Sequence, residues 1–180
     1  MSELANINHD IHSILEKALD VYRGYYDVNH IDPIEPFHAE AIFRLHNEQY
    51  FLVKKARIAE ADSYEYAFFY KTDYLTPELI EQLDKAAWDE GMRRARPQEN
   101  HKNTDVTLFI VAKEIPENCK AAIKKAKHYQ SYKFGFHGFS AFRLVVYDVS
   151  EGKALYNRRG SDLKRFVSGI EILKEKEKNA

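Results

Sequence analysis

Apolar residues recur along this chain with two periods, and each period predicts an element type. Ile11, Ile14, Leu15, Ala18, Leu19 and Tyr22 fall at helical spacing on one stripe. They predict a first helix capped at Asn8, with Asp10 in its first turn and a stop near Gly24. An irregular stretch follows from Asp27 to Glu40, broken by Pro33 and Pro36. Three strand-like runs come next: Ala41 to His46, Tyr50 to Ile58 and Tyr64 to Lys71. In the first, Ala41, Phe43 and Leu45 alternate with Arg44 and His46, the period of a half-buried strand. Short polar connectors at 47–49 and 60–63 make the three an antiparallel meander.

A second helix is predicted from Pro77 to Arg94, with Thr76 as N-cap, Pro77 at the first helical position and a staple between Leu75 and Ile80. Val106 to Ala112 is nearly all apolar, which marks a central strand buried on both faces. A third helix follows at Glu117 to Tyr129, then a long strand at Phe139 to Val149. The turn Ser150-Glu151-Gly152 returns the chain to a short strand at Ala154 to Tyr156, and a last helix starts near Ser161. The order is α-β-β-β-α-β-α-β-β-α. The predicted fold is α+β or mixed α/β, with one mixed sheet of about five to six strands covered by about four helices, because a strand with no polar face must be covered on both sides. Residues 1–173 read as a single globular domain and 174–180 as a charged, frayed tail.

Composition narrows the class. Lys and Arg number 27 against 28 Asp and Glu, for a net charge of −1, and hydrophobic residues make up 44 %. With 11 Phe and 12 Tyr the chain is not disordered, and near-neutrality argues against a wholesale nucleic-acid coat. Its one cysteine, Cys119, leaves no partner for an intramolecular disulfide, so a reducing, cytoplasmic compartment is expected. The N-terminal residues lack the pattern of a secretory signal, and no run approaches membrane-span length, so no membrane role is expected.

Three constellations carry candidate chemistry. In the irregular stretch, His30, Asp32, Glu35 and His38, flanked by Asp27 and Glu40, combine imidazole and carboxylate as a metal ion requires, though without a recognised ligand spacing. His9 and His12 lie three apart on the first helix, where an exposed helix start is the simpler reading. The element order also matches the restriction-endonuclease-like core. That core needs Glu-x-Lys on its third strand, and here the strand reads Glu65-Tyr66-Ala67. The chain's one Glu-x-Lys, Glu151-Gly152-Lys153, reads as a hairpin turn.

The third constellation is basic and aromatic. Six lysines face two glutamates between Lys113 and Lys133, and aromatic residues follow. Lys124, Lys125, Lys127, Lys133, His137, Arg143, Arg158 and Arg159 are the candidate contacts for an anion or a nucleic acid, the cations meeting phosphates and the rings stacking bases. The run Lys133 to Phe139 resembles the aromatic strand motif of RNA-recognition domains, with Phe134 where that pattern has glycine. Gly135 and Gly138 bracket His137 and predict positive φ or a close backbone approach. Cys119 shares an apolar helical face with Ala122, Ile123 and Ala126, which makes it a buried spacer rather than a nucleophile.

Residues Tyr132 to Phe139, the strand Phe142-Arg143-Leu144-Val145-Val146 and Asn157-Arg158-Arg159-Gly160 are similar to a group of bacterial proteins of unknown function, over about residues 104–167. The resemblance implies a bacterial or archaeal cytosolic protein and carries no activity. With no complete catalytic constellation, the expectation is a non-catalytic soluble domain that needs no cofactor and binds a protein partner or a small anionic ligand. The alternatives are a nucleic-acid-binding protein and a metal-dependent phosphodiesterase or nuclease-like enzyme, in active or degenerate form. A homodimer burying some of the tyrosines is a further expectation.

Overall fold

The computed structural model describes residues 2–44 and 62–178, with side chains placed for 10–43 and 62–176. In chain order the elements are α1 (Ser2–Arg23), β1 (Asp27–Asn29), β2 (Ala39–Arg44), β3 (Asp62–Thr72), α2 (Pro77–Arg94), β4 (His101–Ala112), α3 (Glu117–Lys125), β5 (Tyr129–Ser131), β6 (Phe139–Asp148), β7 (Lys153–Tyr156) and α4 (Lys164–Lys178). Single 3₁₀ turns lie at Lys133–Gly135 and Gly160–Leu163. The architecture is α+β. One mixed sheet runs β1-β2-β3-β4-β6-β5, with β7 also paired to β6.

Its centre is parallel. β3 pairs with β4 and β4 with β6 in one direction, whereas β1, β2, β5 and β7 pair antiparallel at the flanks. Strands β3 and β4 are joined through α2, and β4 and β6 through α3. Both helices cover the same face, where Ile80, Leu83, Ala87, Cys119 and Ile123 pack on Phe68, Leu108 and Leu144. On the opposite face Ile14, Leu15, Leu19 and Tyr22 of α1 and Val167 and Ile170 of α4 pack on Phe69, Phe109 and Val145. Val106 to Ala112 is buried throughout, because neighbouring strands and two helical layers enclose it, as its unbroken apolar run requires.

Local signals act as predicted around α2. The Thr76 side chain accepts from the Leu79 N–H at 3.1 Å, Pro77 opens the helix, and Leu75 and Ile80 are both buried. Four features differ. Helix α1 starts at Ser2, so Asn8 lies inside it rather than capping it. The stretch from Asp27 contains β1, paired to β2 through Asp27↔Ile42. Strands β2 and β3 are direct antiparallel neighbours, while the expected strand at Tyr50 to Ile58, with the connector at 47–49, lies outside the described residues. Finally, α3 stops at Lys125, and Tyr129 is already in β5. At the other end of the chain, α4 is helical through Lys178.

Candidate functional site

Strand β3 carries polar groups at both ends, and they are built differently. At its beginning, the register sets Glu65 opposite Asp105 of β4, and Thr107 opposite Arg143 of β6. These side chains share the face that α1 and α4 cover. Thr107 donates to Glu65 Oε1 at 2.9 Å, and Tyr26, just beyond α1, donates to Oε2 at 2.8 Å. Arg143 bridges the two acids, from Nη1 to Glu65 Oε2 at 3.1 Å and from Nη2 to Asp105 Oδ2 at 2.5 Å. Asn103 donates to the same Asp105 oxygen at 2.8 Å, and Ser63 to Asn103 Oδ1 at 2.8 Å.

Burial raises the Asp105 carboxyl above the usual range, and Arg143 opposes that shift. Burial, then Glu65, raises the Tyr26 hydroxyl far above its ordinary value. For Arg143, burial disfavours the charge, but Glu65 and Asp105 outweigh it and hold the guanidinium ionised. Tyr22 packs beside this network, its ring 4.7 Å from both Tyr26 and Phe166. Among the described residues its buried hydroxyl has no hydrogen-bond partner.

At the carboxyl end of β3 lies an open cleft of about 340 Å³, lined by Ile11, His38, Lys71, Thr72 and Asp73. In α/β sheets this is the end where ligands collect. Lys71 Nζ stands 3.5 Å from His12 Nδ1, and among the described residues it has no carboxylate at ion-pair distance. The Lys71 N–H donates to His38 Nδ1 at 3.3 Å, so the neutral His38 ring carries its proton on Nε2 and keeps a donor free. Burial, then Lys71, lowers the His38 pKa and favours that neutral form. The Thr72 hydroxyl is fully engaged, donating to Tyr74 O at 3.0 Å and accepting from the Tyr74 N–H at 3.1 Å. Of the residues lining the cleft, Lys71, His38 and Asp73 are therefore the groups left to meet a ligand.

The residues singled out from sequence are dispersed. His30, Asp32 and Glu35 are exposed, and His38 is turned to β3. Among the described residues no group of three His, Cys, Asp or Glu side chains is placed to hold a metal ion, so these four do not converge as expected. Asn29 organises their loop instead, accepting from the Ile31 and Asp32 N–H groups and donating to Asp32 O. Glu40 pairs with Arg94 at 2.7 Å. The nuclease order has its acids on neighbouring strands, but both oxygens of Glu65 and Oδ2 of Asp105 are engaged by Arg143, Tyr26, Thr107 and Asn103, and Glu151-Gly152-Lys153 lies at the β6–β7 turn.

The expected basic face is divided by the sheet. Lys124 and Lys125 end a helix on one face; Arg143 is half-buried on the other, tied to two acids, and cannot contact an outside anion as expected. Lys127, Lys133, Arg158 and Arg159 are exposed. His137 is half-buried and contributes its carbonyl, which accepts from His101 Nδ1 at 2.7 Å. Asn157 is a buried pin. It accepts from the Leu144 and Gly160 N–H groups at 2.9 and 2.6 Å and donates to Ala126 O at 2.9 Å. Gly160 has no room for a side chain, since a Cβ there would come within 2.1 Å of Leu144 O. Cys119 is buried, and burial raises its thiol pKa, against a nucleophilic role.

Sequence reasoning passed over Asp105 and Lys71, and met Glu65 only as an acid without the Lys of a Glu-x-Lys. The two acids leave a trace, one embedded in each of two aromatic or β-branched strands, but only the register shows that they meet Arg143. The fold and these two polar sites define a mixed-sheet domain with a closed charge network and an open cationic cleft. The chain belongs to the family described as Domain of unknown function (DUF8052), which matches residues 10–169. No curated protein and no solved structure matches it. No helix among the described residues is long and apolar enough to cross a membrane.

Proposed function

We propose that the chain is a non-catalytic domain that binds a small anionic ligand in the cleft at the carboxyl end of β3. One observation carries this reading: the Lys71 ammonium faces the cleft beside His12 and has no carboxylate partner among the described residues. An ammonium without a carboxylate partner is the group that an anion entering the cleft can pair with. The Nε2–H of His38 adds a directed donor. Asp73 supplies an acceptor, so the favoured ligand joins a carboxylate or phosphate to a hydroxyl or amine. The absence of catalysis is supported by the condition of the groups that chemistry needs: the Cys119 thiol is buried, and Glu65 and Asp105 are occupied. A reducing bacterial cytoplasm fits this reading, supported by a single buried cysteine.

Thermal-shift titration with inorganic phosphate, citrate, phosphoserine and malate tests it. A ligand at a hundred times its Kd stabilises the fold by about 2.7 kcal/mol. Stabilisation by at least one of these anions is expected in the native chain and its loss in Lys71→Met. An unchanged melting temperature with every anion, or an equal shift in Lys71→Met, refutes the proposal.

A further inference from the structure

The β5–β6 hairpin ends in a loop, residues 132–138, that holds two phenylalanines in solvent. Phe134 is 102 % exposed and Phe136 84 %. This is a built loop. The Tyr132 N–H donates to Gly138 O at 3.0 Å, the Gly135 N–H to Tyr132 O at 2.9 Å and the Gly138 N–H to Gly135 O at 3.1 Å. Buried His101 anchors it from β4. A carbonyl can only accept, so Nδ1 donates to His137 O, and Nε2 accepts from the Thr104 hydroxyl at 2.8 Å. Gly138, at φ +69°, lies so close to β4 that a Cβ would come within 2.1 Å of Lys102 O.

The same loop holds Lys133 at φ +44° and Phe134 at φ +56°, in the left-handed region that costs a side-chain-bearing residue free energy. A fold that accepts this strain and gains no ring burial from it is displaying the rings. The hairpin and the segments next to it in the chain are rich in cations. No Asp or Glu occurs between Glu117 and Asp148. Exposed Lys127, Lys133, Arg158 and Arg159 have no ion-pair partner among the described residues. Arg159 lies over the rings of Tyr129 and Phe139, at 5.6 and 5.4 Å, and those rings stack 5.6 Å apart.

We infer that this hairpin binds single-stranded nucleic acid. Phe134 and Phe136 each offer open ring faces for a base, and the unpaired cations beside them meet the phosphates. A duplex, whose base faces are already stacked, offers the rings nothing. The inference is independent of the cleft, which lies at the opposite end of the parallel strands. It also narrows the basic surface expected from sequence to Lys127, Lys133, Arg158 and Arg159, without Lys124, Lys125 and Arg143.

Fluorescence anisotropy with labelled oligothymidylate, oligoadenylate and a mixed-sequence duplex tests it at ~50 and ~200 mM salt. The single strands are expected to bind more tightly than the duplex, and with four phosphate contacts to weaken roughly 50-fold across that salt range. Phe134→Ala with Phe136→Ala, an exposed pair whose removal leaves the melting temperature unchanged, is expected to weaken single-strand binding at least tenfold, while Lys133→Glu steepens the loss. No binding at the lower salt overturns the inference. So does binding that the double-alanine variant retains, or a preference for phosphatidylserine vesicles over every oligonucleotide.

Discussion

The two ends of β3 place charge on one strand under opposite conditions. Around Glu65, two acids and one arginine are enclosed by α1, α4 and the neighbouring strands, and Tyr26, Thr107 and Asn103 complete their hydrogen bonding. Around Lys71, one ammonium and the His38 imidazole line an open cleft, and among the described residues the ammonium has no carboxylate at ion-pair distance. The chemically richer end is thus the less available one. A buried carboxylate paired with an arginine and covered by two helices is closed to a substrate, whereas an ammonium at a rim with no carboxylate partner is open to one. Charge that is satisfied internally serves the fold; charge left unpaired is what a ligand can use.

Breaking the closed end gives the largest effect. Arg143→Met leaves two buried acids without their counter-charge and is expected to lower unfolding stability by about 3–5 kcal/mol in urea denaturation. Replacing all three charges together, with Glu65→Gln, Asp105→Asn and Arg143→Met, is expected to recover most of that loss; a triple variant as unstable as the single one would show that the network adds stability beyond mutual compensation. Tyr22→Phe removes a buried hydroxyl that has no partner among the described residues and is expected to raise stability by about 1 kcal/mol, since an unsatisfied buried hydroxyl costs roughly that. A destabilised Tyr22→Phe would mean the hydroxyl has a partner in solution.

The open end predicts small effects on folding. Lys71→Met is expected to change stability by no more than about 0.5 kcal/mol while it abolishes anion binding. His38 sharpens the contrast through pH. Its folded pKa lies below the ordinary 6.5, so the native state holds fewer protons than the unfolded chain. The stability from its neutral ring is present above pH 6.5 and is lost as pH falls toward the folded pKa, where protonation of Nδ1 also breaks the bond from the Lys71 N–H. Unfolding followed between pH 7.5 and 5 is expected to show this loss in the native chain and less of it in His38→Asn, whose side-chain oxygen still accepts that bond. Equal pH slopes would remove His38 from the account.

Much of the architecture was legible because its signals are local. Thr76-Pro77 opens α2 wherever α2 sits, and an apolar run such as Val106 to Ala112 cannot face water in any fold. The cap assigned to Asn8 failed because the helix extends to Ser2, beyond the apolar stripe that marked it. Strand β1 was missed because three residues, Asp27 to Asn29, are too few for a period; their pairing to Ile42, Ala41 and Glu40 is what makes them a strand. In the site, the glycines at 135 and 138 did announce positive φ, and at Gly138 a close approach as well. The metal reading of His30 to His38 failed because nearness in sequence says nothing about whether side chains turn to a common point.

By itself the sequence determined the helices, the long strands β4 and β6 and the burial of the central strand, since each depends on side chains within one helical or strand period. The tertiary structure alone decided which charges meet. Glu65, Asp105 and Arg143 are separated by two helical crossovers and become neighbours through parallel register. That same register turned Arg143 from an anion contact into an internal counter-ion. It left Lys71, six residues from Glu65 on the same strand, facing a cleft where, among the described residues, no carboxylate lies at ion-pair distance from its ammonium.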